Sequence, residues 1–252
     1  MKKTITFLLL FIFSASDIIV AQESTNTSEW QGIRMSYHTM NFSSDNNNGA
    51  KIDLTSVSIG YIKSYSISNS IPIFIETGAN ILWARYSDDR IDRTISIDYS
   101  YAPNSANKNE KYIEEQEGYE DNINMFSLVA PINIAYKCSL NNDISILPYV
   151  GFTLRGNIIG KYNHKEIDRT IVQEYESQKI VSVNDKSKTK DYNLFSNDMH
   201  EDKWERFQLG WQIGLSLNYK KFNIGASYGK DLNKITAQNK ISTTTITIGY
   251  NF

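Results

Sequence analysis

Three charged residues interrupt rows of small polar side chains in this sequence. Arg34, Glu76 and Arg155 each fall near the middle of a segment in which apolar and polar residues alternate. Charges of opposite sign in a narrow polar space either neutralise one another or line a gated path for protons or ions. Because unpaired charge in such a space is costly, we expect Arg34, Glu76 and Arg155 to cross-pair as a structural polar cluster.

His38 is the one histidine that falls in an alternating segment, near its outer end, while His164 and His200 fall in one long polar stretch. A histidine on a small lipid-embedded scaffold could serve lipid hydrolysis or acyl transfer. Such chemistry needs a nucleophile and an orienting carboxylate within hydrogen-bond reach. No His-x-Ser pair and no paired carboxylates stand at a segment end, so the sequence predicts no catalytic residues and a protein that is not an enzyme.

Metal, disulfide and nucleic-acid roles receive little support. The stretch from Asp45 to Gly49 resembles a calcium loop, but its glycine is at the fifth position and no glutamate stands at the twelfth, so we interpret it as a solvated turn. Cys138 is the only cysteine, which excludes an intramolecular disulfide. With 26 basic and 28 acidic residues the chain has no excess of positive charge that would favour binding to nucleic acid. The sequence therefore predicts no metal and no cofactor.

Eight segments show the period-2 alternation of β-strands, and each is near the length that a tilted membrane-spanning strand requires. Their apolar rows carry no charge across the middle, and the exceptions, Lys63 and Arg85, stand at strand ends. An Arg or Lys facing the bilayer midplane costs about 2–4 kcal/mol. The apolar rows are therefore predicted to face outward and the polar rows inward. The segments are approximately 30–42, 54–65, 73–83, 126–136, 144–155, 207–219, 222–229 and 241–252.

The connections alternate in length. The second, fourth and sixth are short, and the first, third, fifth and seventh are longer, with 87–122 and 157–203 the longest. This alternation is typical of a barrel with short periplasmic turns, long extracellular loops and both mature termini in the periplasm. The predicted fold is therefore all-β: an eight-stranded antiparallel transmembrane up-and-down β-barrel.

Both ends of the chain agree with export to an outer membrane. Residues 1–21 combine a basic start, an apolar run and a small residue, which predicts a cleaved signal peptide followed by a barrel domain over residues 22–252. The apolar run is about half of the roughly 20 residues that a spanning helix needs. The last segment places Tyr250 and Phe252 on its apolar row, and we expect these two residues to form a C-terminal signal for the barrel-assembly machinery.

A pentapeptide occurs twice in the two longest loops. Ile91-Asp92-Arg93-Thr94-Ile95 recurs as Ile167-Asp168-Arg169-Thr170-Ile171. Both copies continue with β-forming residues. We therefore expect the third to sixth strands to extend beyond the bilayer as an ordered β-structured rim.

Short stretches of the chain resemble the bacteroidete-type outer-membrane β-barrel family, also called PorT-like or "porin family" proteins. The resemblance covers nearly all of the mature chain and implies a small barrel of the OmpA or OmpX kind, while it implies little about activity. The stretches are IPIFIETG (71–78), LVAPINIAY (128–136), PYVG (148–151), FQLGWQIG (207–214) and GYNF (249–252).

The function expected from these observations is a non-enzymatic, surface-exposed structural or binding role in the cell outer membrane, exerted through the long extracellular loops. Expected partners are outer-membrane lipid, the barrel-assembly machinery and an unknown extracellular ligand or protein, but no nucleic acid. Three alternatives stay open: a narrow channel, a membrane-embedded lipid-modifying enzyme and a component of a secretion apparatus.

Overall fold

The computed structural model describes residues 29–44, 53–98, 111–174 and 179–252. The predicted signal peptide at 1–21 and the turn at 45–49 lie outside these ranges. Among the described residues no helix is long and apolar enough to span a membrane. The strands are β1 (Gln31–Ser44), β2 (Asp53–Ser66), β3 (Ile73–Asp98), β4 (Lys111–Tyr136), β5 (Cys138–Ser139), β6 (Ile144–Glu174), β7 (Ile180–Asp185), β8 (Lys188–Asn193), β9 (Phe207–Tyr219), β10 (Phe222–Asp231) and β11 (Asn239–Asn251), with a 3₁₀ helix over Asn197–Asp202.

Eight of these strands close into a ring. Neighbours pair in the order β1, β2, β3, β4, β6, β9, β10 and β11, and β11 pairs back onto β1, all antiparallel. This confirms the predicted eight-stranded antiparallel up-and-down barrel. We call the end with the short connections 67–72, 137–143 and 220–221 the turn end; both ends of the described chain lie there too. The opposite end is the loop end.

The two faces of the barrel wall differ as predicted. Apolar side chains of the ring strands point away from the axis, as in Ile246, Leu215 and Val150, each more than half exposed. Polar side chains of the same strands point inward, and Gln208 and Asn218 are buried. A period of two residues puts alternate side chains on opposite faces, so the sequence pattern fixes this sidedness directly.

Three strands are much longer than predicted. β3 and β4 have 26 residues each and β6 has 31. Their pairing continues past the barrel, to Asp98 opposite Lys111 and Lys111 opposite Glu174. Most residues of the two longest predicted connections, 87–122 and 157–203, therefore belong to paired strands.

The strand extensions form a projecting sheet, which we call the rim: residues 85–98 of β3, 111–124 of β4 and 161–174 of β6, together with β7 and β8. β7 pairs with the tip of β6, and β8 pairs with β6 closer to the barrel. The predicted rim is confirmed for the third, fourth and fifth ring strands. For the sixth the prediction is wrong, because β9 begins at Phe207, and β7 and β8, which follow one another along the same edge of β6, take its place there.

The barrel interior is polar only in its middle. A cluster of buried apolar side chains, the cap, fills the loop end, and a smaller cluster, the floor, fills the turn end. The predicted wholly polar interior is therefore wrong at both ends. The cap contains Met40, Phe42, Leu54, Leu82, Ala84, Ile123, Met125, Leu194, Phe195, Trp204, Ile235 and Ile241, and the floor contains Trp30, Ile62, Phe74 and Leu147.

Candidate functional site: a closed lumen and an exposed rim

Arg34, Glu76 and Arg155 line one cavity of about 140 Å³ in the middle of the barrel. They do not pair with one another as expected. Arg155 instead forms an ion pair with Asp231, and both side chains are less than 10% exposed. Asp231 is within reach because β6 and β10 both flank β9, with Thr153 and Asp231 opposite the same residue, Gly210.

Arg34 and Glu76 are satisfied by neutral partners. Arg34 Nη2 donates a hydrogen bond of 2.7 Å to Asn251 Oδ1 on the adjacent strand β11. Glu76 accepts hydrogen bonds from Trp30 Nε1 at 3.2 Å and from Asn133 Nδ2 at 3.3 Å. β2 separates the strands of Arg34 and Glu76, and the Trp30 indole, from the segment that leads into β1, reaches Glu76 across it.

His38 points into the same cavity. Its Nδ1 lies 2.9 Å from Thr245 Oγ1 and its Nε2 lies 2.8 Å from Ser58 Oγ. Both ring nitrogens therefore engage hydroxyl groups, and neither is oriented by a carboxylate. A base that abstracts a proton for nucleophilic attack is normally oriented by such a third group. The side chain also faces away from the outer wall, where a lipid substrate would have to approach.

The cap closes the loop end with chain that folds inward from two connections. Trp204 packs on Phe42, with ring centroids 5.3 Å apart. Backbone hydrogen bonds hold the covering segments in place: Trp204 N to Leu194 O at 2.8 Å and Glu205 N to Ile235 O at 2.7 Å. The buried apolar side chains of the cap thus pack together across the loop end, above the polar cavity.

The floor closes the turn end in a similar way. The rings of Trp30 and Phe74 lie 4.6 Å apart, and the Lys137 ammonium group lies 5.7 Å from the Trp30 ring centroid. Ser64 Oγ accepts a hydrogen bond of 2.7 Å from Trp30 N and fixes the segment that carries the indole. Among the described residues, the polar cavity is thus bounded by apolar side chains above and below.

The rim has an aromatic and charged face that continues the inward rows of β4 and β6. Asp121 Oδ1 accepts a hydrogen bond of 2.9 Å from the Tyr162 hydroxyl and lies 2.7 Å from His164 Nδ1. Tyr162 stacks on Tyr192 of β8 with centroids 5.8 Å apart, and Tyr119 lies 6.1 Å from His164. Aromatic faces beside a carboxylate and an imidazole can stack on and hydrogen-bond to a polar ligand.

Ion pairs hold β7 and β8 against β6. Arg169 Nη2 lies 2.6 Å from Asp185 Oδ2, and Lys190 Nζ lies 3.1 Å from Glu166 Oε1. The hydrogen bond from Lys190 lowers the pKa of Glu166, and the reciprocal contact raises the pKa of Lys190. Hydrogen bonds from Ser187, and then from Arg169, lower the pKa of Asp185 well below its ordinary value. β7 and β8 are therefore both held to β6 by ion pairs as well as by backbone pairing.

Two parts of the site escaped the sequence analysis. Asp231 was assigned to a loop, yet it continues the inward row of β10 two residues beyond Gly229, so the period-2 pattern could have identified it. His164 was also assigned to a loop, whereas it lies on β6 beside Asp121 of β4. The region around His164 has no apolar alternation that would have marked a strand.

Tyr250 and Phe252 lie on the outer surface at the turn end. Phe252 contacts Tyr61 with ring centroids 6.3 Å apart, and Tyr250 meets Phe222 edge to face at 5.6 Å. Both side chains are exposed.

Comparison with known proteins yields weak structural similarity only. No family model and no curated protein matches the sequence. Ail, the attachment invasion locus protein of Yersinia pestis, gives a TM-score of 0.37 at 14% identity, covering 89% of this chain and 99% of Ail. Neisserial surface protein A gives a TM-score of 0.35 at 12% identity, covering 88% of this chain and 97% of that protein. An outer-membrane channel from Pseudomonas putida F1 gives a TM-score of 0.29 at 8% identity, covering 92% of this chain and 98% of the channel. At these values the account of the protein rests on its own geometry.

Proposed function

We propose that this chain is an outer-membrane β-barrel that binds an extracellular ligand or protein through its rim and does not conduct. The main support for the membrane placement is the belt, the uncharged rows of outward-facing apolar side chains on the eight ring strands. This belt surrounds a closed ring whose central interior is polar. A soluble protein buries such side chains instead. β9 has 13 residues, which at roughly 3.3 Å per residue and a tilt of about 40° gives about 30 Å of height, enough to cross the hydrocarbon core.

Aromatic residues support the same placement. Exposed rings gather on the outer wall at the turn end: Tyr61, Tyr65, Tyr219, Phe222, Tyr250 and Phe252. A second group lies closer to the loop end, where Trp83 is opposite Phe126 and Phe152 is opposite Trp211. Transmembrane barrels carry aromatic girdles at both lipid–water interfaces.

The orientation follows from the lengths of the connections. Short turns and both ends of the described chain share one end of the barrel, which is the periplasmic side in such proteins. We infer that residues 1–21 direct export, that residues 22–252 form the barrel domain, and that Tyr250 and Phe252 are presented to the barrel-assembly machinery. The short sequence resemblances favour the PorT-like family as the group to which the chain is related.

The rim is the proposed working surface because it is the part that projects beyond the belt. Its face around Asp121, Tyr162 and His164 offers aromatic and charged groups to the medium. The cap and floor argue against a channel, and the hydroxyl partners of His38 argue against lipid chemistry. The role is therefore structural or binding, without a cofactor and without nucleic acid.

Planar-bilayer recording of the purified full-length protein tests the proposal against the channel alternative. We expect membranes that contain the protein to show no steady conductance above background. A variant with Phe42→Ala and Trp204→Ala, which thins the cap, serves as the positive comparison and is expected to conduct more. Steady single-channel currents from the unaltered protein would replace this proposal with the narrow channel.

A further inference from the structure

The repeated pentapeptide flanks a single segment of β4. Ile91–Ile95 of β3 pairs with residues 114–118 on one side, and Ile167–Ile171 of β6 pairs with the same residues on the other. The registers are identical: Arg93 and Arg169 both lie opposite Gln116, and Ile95 and Ile171 both lie opposite Glu114. The two copies therefore stand at the same height above the barrel, and they run in the same direction because both are antiparallel to β4.

The outer edges of the two copies differ. On β6 the edge is covered by β7, with Arg169 opposite Asp185 and Ile171 opposite Val183. On β3 the pairing with β2 stops at Arg85 opposite Thr55, and no described residue pairs with the edge beyond it. β7 likewise pairs with β6 alone among the described residues. Within the described ranges the rim sheet thus ends in two unpaired edges, β3 at one side and β7 at the other.

We propose that these edges join two copies of this chain, with β7 of one copy adding to β3 of its neighbour. β7 is antiparallel to β6, and β6 runs parallel to β3, so β7 of an upright neighbour meets β3 in antiparallel orientation. Two copies inserted in one membrane have the same orientation, and this contact forms without inverting either barrel. The equal height of the two pentapeptides places β7 at the level of Ile91–Ile95.

The chemistry of the two edges matches. Within the same chain β7 already pairs with Arg169, Thr170 and Ile171, the last three residues of one copy of the pentapeptide, so its side chains suit the Arg-Thr-Ile sequence as a strand partner. Asp185, which pairs with Arg169 of its own chain, would also face Arg93 of the neighbour, whose side chain is 64% exposed and lies 4.0 Å from Glu114. Ile95, Val181 and Val183 are each about half exposed and become covered.

The edge of β3 carries some but not all of the usual protection against strand addition. Residues 86–98 contain charged residues such as Asp88 and Asp89, but no lysine and no proline, which most often prevent edge-to-edge pairing. The two edges are different surfaces, so the contact is head to tail, and repetition generates rows of barrels. Each added strand contributes backbone hydrogen bonds that no side chain needs to supply.

Cysteine cross-linking in lipid vesicles tests the proposal, in a background where Cys138 is replaced by serine. Thr94→Cys with Asn184→Cys in one chain should give a ladder of oligomers on oxidation. Thr170→Cys with Asn184→Cys is the matched control, because Thr170 faces Asn184 within one chain and should give a monomer with an internal disulfide. Arg93→Glu should reduce the ladder severalfold, and Arg93→Lys should preserve it.

Faster migration of the unboiled protein on a denaturing gel shows that each variant forms its barrel. The upright arrangement rests on the proposed membrane placement, and this migration test separates failure of the barrel from failure of the contact. A folded Thr94→Cys/Asn184→Cys variant that stays monomeric while the control disulfide closes would overturn the proposal. Dimers from Thr94→Cys alone, in equal yield, would also overturn it, since they would mean that β3 pairs with β3.

Discussion

Arg155 and Asp231 form an ion pair across the middle of the barrel, linking β6 to β10 over the intervening strand β9. Both side chains are almost fully withdrawn from solvent. A buried ion pair contributes little net stability over apolar replacements, but the loss of one partner leaves an uncompensated charge. A substitution of either Arg155 or Asp231 alone is therefore expected to destabilise the barrel.

Asp231→Ala should lower the free energy of unfolding by about 3–5 kcal/mol, because Arg155 is left buried without a counter-charge. The double variant Arg155→Met/Asp231→Leu should recover most of this loss. Equilibrium urea unfolding in lipid vesicles measures both. Asp143→Ala is the control, since its contact with Lys220 is long and exposed and is worth less than about 1 kcal/mol. Equal effects of Asp231→Ala and Asp143→Ala would contradict the assigned role.

Gly118→Ala should loosen the rim and leave the barrel intact. A Cβ atom at Gly118 would lie 1.9 Å from the backbone oxygen of Arg90 on β3, so the two rim strands must separate. Limited proteolysis should then cut residues 85–98 faster. Gly156→Ala is the matched control, because a Cβ atom there meets nothing within 4 Å. Unchanged protection of the rim in Gly118→Ala would show that the strands are not packed as described.

Ser58→Cys should react slowly with a water-soluble thiol reagent, because the cap closes the loop end and the floor closes the turn end. Cys138 is replaced by serine in this experiment. Trp204→Ala removes the ring that packs on Phe42 and should speed the reaction many times. Thr189→Cys on the exposed strand β8 is the control that should react fast with or without Trp204. Rapid labelling of Ser58→Cys in the otherwise unaltered protein would mean that the lumen is open.

The pairing of β7 should depend on acid. The pKa of Asp185 is lowered in the folded chain by hydrogen bonds from Ser187 and Arg169. A lowered folded-state pKa adds stability above the ordinary value of about 3.9, and this stability is lost as the pH falls through the folded-state pKa. Amide hydrogen exchange of residues 180–185 should therefore show protection at neutral pH that weakens in strong acid. Asp185→Asn should show weaker protection and no such change; an identical acid response would exclude Asp185 as its source.

The ring strands were predictable because alternation within the belt is a local property. The alternation assigns Ile213 to the outer face and Gln212 to the inner face from sequence alone, because the outer face meets an apolar phase and the inner face a polar one. Beyond the belt both faces of β3, β4 and β6 meet water, and the alternation disappears. Asp88 and Asp89 on β3 are both charged. Only the repeated pentapeptide indicated that these strands continue.

The cap could not be predicted in the same way. Leu194, Phe195, Trp204 and Ile235 are scattered apolar residues in polar connections, with no period that assigns them to a face. Their burial depends on the folding of two distant connections over the barrel mouth, which is a tertiary effect. The partners of the central charges were missed for the same reason, except for Asp231, which the period-2 row of β10 includes.

In the proposed membrane placement, apolar side chains of the barrel wall face lipid while the interior is sealed from it, and the four tryptophans allow a direct test. Trp83 and Trp211 lie on the outer wall, while Trp204 belongs to the cap and Trp30 to the floor. Four variants, each keeping one tryptophan and replacing the others by phenylalanine, are reconstituted in vesicles of brominated phosphatidylcholine. We predict strong fluorescence quenching for Trp83 and Trp211 and little for Trp30 and Trp204. Quenching of Trp30 and Trp204 with Trp83 and Trp211 unaffected would contradict the account.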